Sequence, residues 1–160
     1  MKLEKILVPL DGSMLAEAAL SAACGFAERD GSTISLRRAA EAMTLPGGDN
    51  IDAQVTAIRE AEEYLAAVIR RLADKGVRRV ETHVWYGPPA AAIVEAAAVQ
   101  KADLIVMSTH GRSGLGRLVL GSVAESVLRG TTVPILIVRA GHAPVDAPSG
   151  AADATGVSRV

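Results

Sequence analysis

The segment from Ser108 to Ser122 combines residue types that can bind an anion. It holds several glycines, three hydroxyl side chains before the final glycine-serine pair, and two arginines, Arg112 and Arg117. Glycines let main-chain amides approach an anion closely, and the start of a helix adds unpaired N–H groups and the positive end of the helix dipole. An apolar run precedes the segment and a helical pattern follows it. The pattern therefore predicts a site for a phosphate chain.

An ordinary strand-to-helix loop explains the same residues equally well. Ser122 would then cap the helix, and Glu125, three residues later, would complete a capping box. Arg112 and Arg117 would be phosphate clamps in the first interpretation and solvated charges in the second. His110 has no acidic residue or cysteine beside it in the sequence, so a solvated loop side chain is favoured over acid–base chemistry. Neither the Walker A pattern nor the dinucleotide fingerprint fits the segment, which contains no lysine.

Five apolar runs predict the strands that must position this segment. Continuous β-branched runs suit strands covered on both faces, as in a parallel sheet. Arg37 and Arg38 interrupt the second run, which is the weakest of the five. Four helical patterns alternate with the runs, so the order predicts a doubly wound α/β domain: a Rossmann-like, five-stranded parallel sheet with helices on both faces. The runs lie at 6–8, 34–39, 80–85, 104–107 and 135–138, and the helical patterns begin near residues 13, 51, 89 and 122.

Ligands of open α/β sheets bind beyond the carboxyl ends of the strands, where the strand order changes direction. Asp11 follows the first predicted strand, and the Ser108–Ser122 segment follows the fourth. Asp11 either contacts a ligand or caps the helix that starts near Ser13. Trp85 and Tyr86 are expected to pack at the end of the third strand and not to stack on a base.

Composition and charge argue against several classes of function. The chain of 160 residues suits one domain, and its formal net charge of -1 gives no general surface for nucleic acid. Its four aromatic residues are too few for a platform that stacks single-stranded bases. Cys24 is the only cysteine, which excludes an intrachain disulfide and favours a small buried thiol. No stretch reaches membrane-spanning length, so we expect a cytoplasmic protein without a membrane partner.

Two stretches fall outside the alternating pattern. Residues 40–50, with Pro46-Gly47-Gly48, predict a surface loop. From Ala140 onward the chain turns to Gly, Ala, Pro, Asp and Ser without an apolar period. This change predicts a domain over residues 1–140 followed by a flexible tail over 141–160.

The order and spacing of the motifs resemble the universal stress protein family. The likeness lies in residues 104–129 and 133–139, in the Ile-Leu-Val-Pro-Leu-Asp-Gly-Ser run of residues 6–13, and in the Gly-Pro-Pro of residues 87–89. Members that bind ATP carry a glycine, two residues, a second glycine, nine residues and then Gly-Ser or Gly-Thr. Gly111 and the Gly121-Ser122 pair match this pattern, whereas Ser108 stands in place of the first glycine.

This resemblance implies an adenine nucleotide alpha hydrolase-like fold that binds ATP or AMP, with magnesium where phosphates are present. The implied base and sugar contacts come from the first, second and fourth strands. Asp11 would meet the ribose or a magnesium ion, Met107 would border the base or ribose, and the adenine would lie against Pro9, Leu10 and Ala39. The implied phosphate contacts follow the fourth strand: Ser108, Gly111, Arg112, Gly121, Ser122 and Val123. Arg38 and Ala39 depart from the histidine and valine that the family often has there.

The function implied by the resemblance is that of a nucleotide-binding regulator of the stress response. It would form a homodimer through the last strand, Ile135 to Val138, because a long apolar edge needs cover. A slow ATP hydrolase or phosphotransferase is one alternative, although the sequence offers no evident general base or Walker B strand. A dimeric interaction module that has lost the ligand is another, because Ser108 replaces a glycine.

Overall fold

The computed structural model describes residues 2–40, 50–109 and 120–140. Within these ranges, five strands alternate with four helices, as the sequence predicts. The strands are β1 (Lys5–Pro9), β2 (Thr33–Ala40), β3 (Val80–Tyr86), β4 (Leu104–Thr109) and β5 (Ile135–Arg139). The helices are α1 (Met14–Asp30), α2 (Asn50–Asp74), α3 (Pro89–Val99) and α4 (Ser122–Gly130).

The five strands form one parallel sheet with the spatial order β3-β2-β1-β4-β5. The predicted doubly wound sheet is therefore confirmed. From β1 the chain winds outward to β2 and β3, then returns to the other side of β1 for β4 and β5. The carboxyl ends of β1 and β4 consequently form the switch point, where neighbouring loops leave the sheet in opposite directions and open a crevice.

Side chains of the central strands alternate between two apolar layers. Ile6 and Val8 of β1 pack with α1 and α2 on one face of the sheet. Leu7 of the same strand and Ile105 of β4 pack with α3 and α4 on the other face. Because both faces are covered, β1 and β4 contain the continuous apolar runs of residues 6–8 and 104–107.

β2 is a complete strand in spite of its two arginines. It has eight residues and pairs with β1 and β3 along most of its length. The sequence ranked this run as the weakest, because two long cations in a strand contradict a fully buried environment. Arg37 and Arg38 lie near the carboxyl end, and successive strand side chains point to opposite faces. Each arginine is only half-buried, so this end of the strand does not require apolar side chains.

The helix ends show why these segments start and stop where they do. The Ser13 side chain caps α1 by accepting a hydrogen bond from the Ala16 amide at 3.1 Å. Gly31 ends the same helix with a φ of 72°. Gly76 has a φ of 86° and follows α2. These left-handed positions favour glycine because it has no Cβ.

The bounds of the predicted loop need correction at both ends, because Ala40 is the last residue of β2 and is buried, and Asn50 begins α2. Ala140, the last residue of the predicted domain, is buried directly after β5. Residues 41–49 of the predicted loop and 141–160 of the predicted tail lie outside the described residues.

Cys24 is half-buried in α1, packs against the core, and has its pKa raised by burial. Among the helices described, none is both long enough and apolar enough to cross a membrane.

Candidate functional site

A cavity of about 390 Å³ opens at the carboxyl ends of β1, β2 and β4. The first turns of α3 and α4 and the loop between β1 and α1 complete its walls. All predicted site residues within the described ranges line it: Pro9, Leu10, Asp11, Ala39, Met107, Ser108, Gly121, Ser122 and Val123. Gly111 and Arg112, like His110 and Arg117, lie outside the described residues.

The loop after β1 is held by hydrogen bonds from its own backbone. The Leu10 amide donates to the Arg37 carbonyl at 2.7 Å, which ties the loop to β2. The Ser13 amide donates to Asp11 Oδ1 at 2.8 Å. Asp11 therefore orders the approach to α1, but the prediction that it caps this helix is wrong, because Ser13 does so. Asp11 stays exposed at the cavity mouth, so its carboxylate remains accessible to a ligand.

The start of α4 differs from the predicted capping box. Gly121 is the N-cap residue and Ser122 is the first residue of the helix, so the prediction of a Ser122 cap is wrong. The Glu125 amide donates to the Gly121 carbonyl at 3.0 Å, while its carboxylate accepts from Arg129 at 2.6 Å. Within the described residues no side chain caps α4. Among the described residues, its first amides therefore have no side-chain acceptor at the cavity wall.

Apolar side chains form part of the wall on the β2 and β3 side. Ala39 of β2 lies in register with Trp85 of β3, and both line the cavity with Pro89 and Ile93 of α3. Trp85 is half-buried at the strand end, as predicted, but its place on the cavity wall was missed. Trp85 reaches the cavity wall because β3 pairs with β2 in a register that sets Trp85 beside Ala39, and the sequence alone does not show this register. Tyr86 is exposed and accepts a hydrogen bond from Gln54 Nε2 at 3.1 Å.

Arg38 lines the cavity from a fixed position. Its guanidinium carbon lies 4.7 Å from the centre of the Tyr64 ring, a cation–π contact. The Tyr64 hydroxyl donates to Glu17 Oε1 at 2.8 Å, and Arg71 donates to both oxygens of that carboxylate. The Arg71 hydrogen bonds lower the pKa of Glu17. A chain of contacts from α2 through α1 therefore holds Arg38 beside Gly12.

Arg37 also lines the cavity but lacks such partners. The residue is half-buried, and its Nε atom is buried without a hydrogen-bond partner among the described residues. Burial lowers the pKa of Arg37, and the charge of Glu81 only partly opposes this. Sequence reasoning did not include Arg37 in the site. The one feature of the sequence that could have indicated a role for Arg37 is that this cation interrupts the apolar run of a predicted strand.

Magnesium has little direct support from side chains. In the part of the chain that the structure describes, no group of three or more His, Cys, Asp or Glu residues could hold a metal ion. Asp11 alone is a single carboxylate. Magnesium commonly binds through one or two carboxylates together with water and substrate phosphates. These residues fit a magnesium ion only when a phosphorylated ligand supplies most of its oxygens.

A model of the universal stress protein family matches residues 2–139. The chain belongs to the universal stress protein family. One relative, a putative universal stress protein of Staphylococcus aureus strain USA300, is 33% identical over 146 residues, which cover 89% of this chain and 88% of that protein. The family resemblance stated from the sequence is confirmed.

Solved structures of universal stress proteins share the fold. UspA from Lactobacillus plantarum superposes with a TM-score of 0.74 at 23% identity, over 87% of this chain and 99% of that one. A universal stress protein in complex with cAMP gives 0.58 at 28% identity, over 88% and 100% of the two chains. The Archaeoglobus fulgidus protein in complex with dAMP gives 0.63 at 25% identity, over 86% and 98%.

Proposed function

We propose that this universal stress protein binds an adenine nucleotide, ATP or AMP, in the cavity at the switch point and acts as a regulator of the stress response. The observation that carries the proposal is the division of one cavity into two chemically different walls. The start of α4, which no side chain caps within the described residues, forms one wall. The other wall combines apolar side chains around Ala39 with the arginines of β2, Arg37 and Arg38. A nucleotide has a matching division, with anionic phosphates at one end and, at the other, a flat base whose faces are apolar and whose edge accepts hydrogen bonds.

Size and family membership support a nucleotide over a smaller anion. The cavity of about 390 Å³ falls within the range of roughly 300–1,000 Å³ that small-molecule sites occupy. Two relatives with the same fold have been solved with cAMP and with dAMP. Both of those ligands carry adenine and a phosphate, which is the chemistry proposed for this chain.

The proposed contacts follow from where each residue lies on the cavity wall. Amides at Gly121 and Val123, with the Ser122 hydroxyl, would hold phosphate at the start of α4. Ser108 at the end of β4 keeps a main-chain amide and adds a hydroxyl where ATP-binding members have glycine. Gly111 and Arg112 would contribute from the segment between β4 and α4.

The base and ribose would lie on the side of β1 and β2. Pro9, Leu10 and Ala39 would contact the adenine, with Met107 at the border of the base and ribose. Asp11 would hydrogen-bond the ribose or share a magnesium ion with the phosphates. The exposure of Asp11 at the cavity mouth suits either role.

Direct binding measurements test the proposal. Mass spectrometry of ligand released from gently purified protein is expected to detect an adenine nucleotide. Isothermal titration calorimetry with AMP, and with ATP plus magnesium, is expected to show saturable binding. No saturable binding below millimolar concentration would contradict the proposal and favour the ligand-free interaction module. Turnover of several ATP per second, abolished by Asp11→Ala, would instead favour the hydrolase.

A charge at the start of α4 tests the phosphate wall. Ser122→Asp places a carboxylate beside the proposed phosphate, so like-charge repulsion should weaken AMP binding by more than about tenfold. The same carboxylate stabilises a helix N-terminus by roughly 0.3–1 kcal/mol, so the ligand-free variant should unfold no more easily than wild type. Ser126→Asp adds the same charge at an exposed position one turn later and should bind normally. Equal affinities for the two variants would contradict the phosphate assignment.

We also propose a homodimer through β5. This strand lies at the edge of the sheet, and residues 135–138 are half-buried apolar side chains. An apolar edge strand is a template for pairing with another chain, and a second copy would cover it symmetrically. Light scattering at micromolar concentration should give twice the monomer mass. A monomer at that concentration would contradict this part of the proposal.

A further inference from the structure

Arg37 has an environment that the fold itself does not explain. A buried donor without a partner costs stability, so native proteins usually satisfy such groups with protein, water or a ligand. Among the described residues, none accepts from Arg37 Nε. Arg38, one residue later, is held over the Tyr64 ring instead. The two arginines therefore differ: among the described residues, the Tyr64 ring contacts Arg38, whereas Arg37 Nε has no hydrogen-bond partner.

The position of Arg37 in the sheet indicates which part of a nucleotide it would meet. Arg37 lies in register with Pro9 of β1, so both side chains leave the same face of the sheet. Ala39 and Trp85 form the next row toward the carboxyl ends. The phosphate wall follows β4, two strands away from β2, which corresponds to about 10 Å. Arg37 thus stands on the base side of the cavity.

We propose that Arg37 is a specificity-determining residue that donates a hydrogen bond to a ring nitrogen of the bound purine. The inference rests on the proposed function, because it assigns a role within the same nucleotide site. Adenine ring nitrogens accept hydrogen bonds. Pro9 and Ala39 on this wall have no side-chain donor, and the indole N–H of Trp85 lies one row farther toward the carboxyl ends of the strands. A guanidinium hydrogen bond in a partly buried site is directional and charge-assisted, so it distinguishes a ring nitrogen from a carbon.

The test compares wild type with Arg37→Met, which retains an unbranched apolar stem but has no donor. Calorimetry with adenosine and with AMP should show the same loss for both ligands, between about tenfold and a hundredfold. Against wild type, one of the 1-deaza, 3-deaza or 7-deaza analogues of AMP should bind more weakly by a similar factor. Arg37→Met should bind that analogue and AMP equally.

Arg79→Met is the matched control. Arg79 precedes β3 at the opposite end of the sheet, where it donates to the Gly31 carbonyl at 3.0 Å. Its replacement should leave both affinities unchanged. Ligand-free Arg37→Met should unfold at the same or a higher temperature than wild type, because it removes an unpartnered buried donor. If Arg37→Met does not fold, Arg37→Leu, which also lacks a side-chain donor, serves as the second variant for the same comparison.

Three results would overturn the inference, and each is distinguishable. Loss of AMP affinity without loss of adenosine affinity would move Arg37 to the phosphates. Unchanged affinity in Arg37→Met, or an undiminished deaza effect in that variant, would remove it from base recognition and leave the proposed function intact. A wild-type protein that binds neither adenosine nor AMP would overturn the proposed function and this inference together.

Discussion

At the amino end of the sheet, polar groups form hydrogen bonds with one another, whereas at the carboxyl end several polar groups face the cavity. Asp103 Oδ2 accepts from the Glu4 and Lys5 amides at 2.8 and 2.9 Å, and the Asp103 amide donates to the Lys5 carbonyl at 2.9 Å. The buried Ser32 hydroxyl donates to the Leu3 carbonyl at 2.7 Å. These contacts join segments that are far apart in the chain.

The carboxyl end has a different character within the described residues. The start of α4 has no side-chain cap, Arg37 Nε has no partner, and Asp11 is exposed. Unsatisfied groups cost stability, and they persist where a ligand can satisfy them. In this protein, therefore, the polar groups of the amino end hold the fold together, whereas those of the carboxyl end belong to the proposed binding site. Substitutions at the two ends should consequently change different measured quantities.

The largest expected effect on stability is at the amino end. Asp103→Ala removes the acceptor of two backbone amides and should lower the free energy of unfolding by about 2–3 kcal/mol, since hydrogen bonds to charged groups contribute roughly 1.5–3 kcal/mol each and these are partly exposed. Urea unfolding measures this change. AMP affinity at a temperature where the variant is folded should stay at the wild-type value.

The control for this variant is Asp74→Ala, at the exposed end of α2. It should change the free energy of unfolding by no more than about 0.5 kcal/mol. A tenfold loss of AMP affinity in Asp103→Ala would contradict the expectation that substitutions at the amino end change stability and leave ligand binding unchanged.

Two glycines allow a matched comparison of the ends. Gly12 and Gly31 have φ values of 87° and 72°, so alanine is strained at either position by about 1–2 kcal/mol. A Cβ at Gly12 would lie 3.1 Å from Arg38 Nη2, whereas at Gly31 it would meet nothing within 4 Å. Both variants should be destabilised to a similar extent by urea unfolding. Only Gly12→Ala should displace Arg38 and weaken AMP binding by calorimetry.

If Gly31→Ala weakened AMP binding as much as Gly12→Ala, strain alone would explain both results. The interpretation that Gly12 leaves room for Arg38 beside the cavity would then be wrong.

The smallest expected effect concerns the contacts behind Arg38. Hydrogen bonds from Arg71 lower the pKa of Glu17, so this carboxylate stabilises the folded state when it is ionised. Glu17→Gln should reduce the free energy of unfolding at pH 7 by less than about 1 kcal/mol, because Arg71 is half exposed and solvent screens the pair. A lowered folded-state pKa means that the advantage of wild type is full above pH 4.5 and is lost as pH falls below it.

Urea unfolding of wild type and Glu17→Gln between pH 7 and pH 3 measures this convergence. A difference that stays constant down to pH 3 would show that the charge of Glu17 does not contribute. AMP affinity should change by only a few fold, since Arg38 keeps its contact with the Tyr64 ring.

The sequence predicted the fold and part of the cavity lining, but not how the side chains are partnered. Apolar runs identified the five strands because burial on both faces leaves a local signature. Burial of β2 varies along its length, and the two arginines at its carboxyl end weakened the apolar pattern that predicts a strand. Pairing with β1 and β3 nevertheless extends the strand through both arginines. Whether Ser122 caps α4 depends on where the chain turns at Gly121, which composition does not fix. Trp85 and Arg37 reach the cavity through the register of β2 with β1 and β3, and register is a property of the assembled sheet.

The position of β4, between the cavity and the edge strand β5, affects how a bound ligand could influence a second copy of the chain. Its residue Ser108 lines the cavity and is in register with Val138 of β5. Only β5 would therefore lie between the strand that contacts the proposed nucleotide and the proposed second copy, a distance of two strand spacings or about 10 Å. A displacement of β4 by less than an ångström would reach the edge of the sheet through one ladder of backbone hydrogen bonds, with no intervening loop or helix to absorb it.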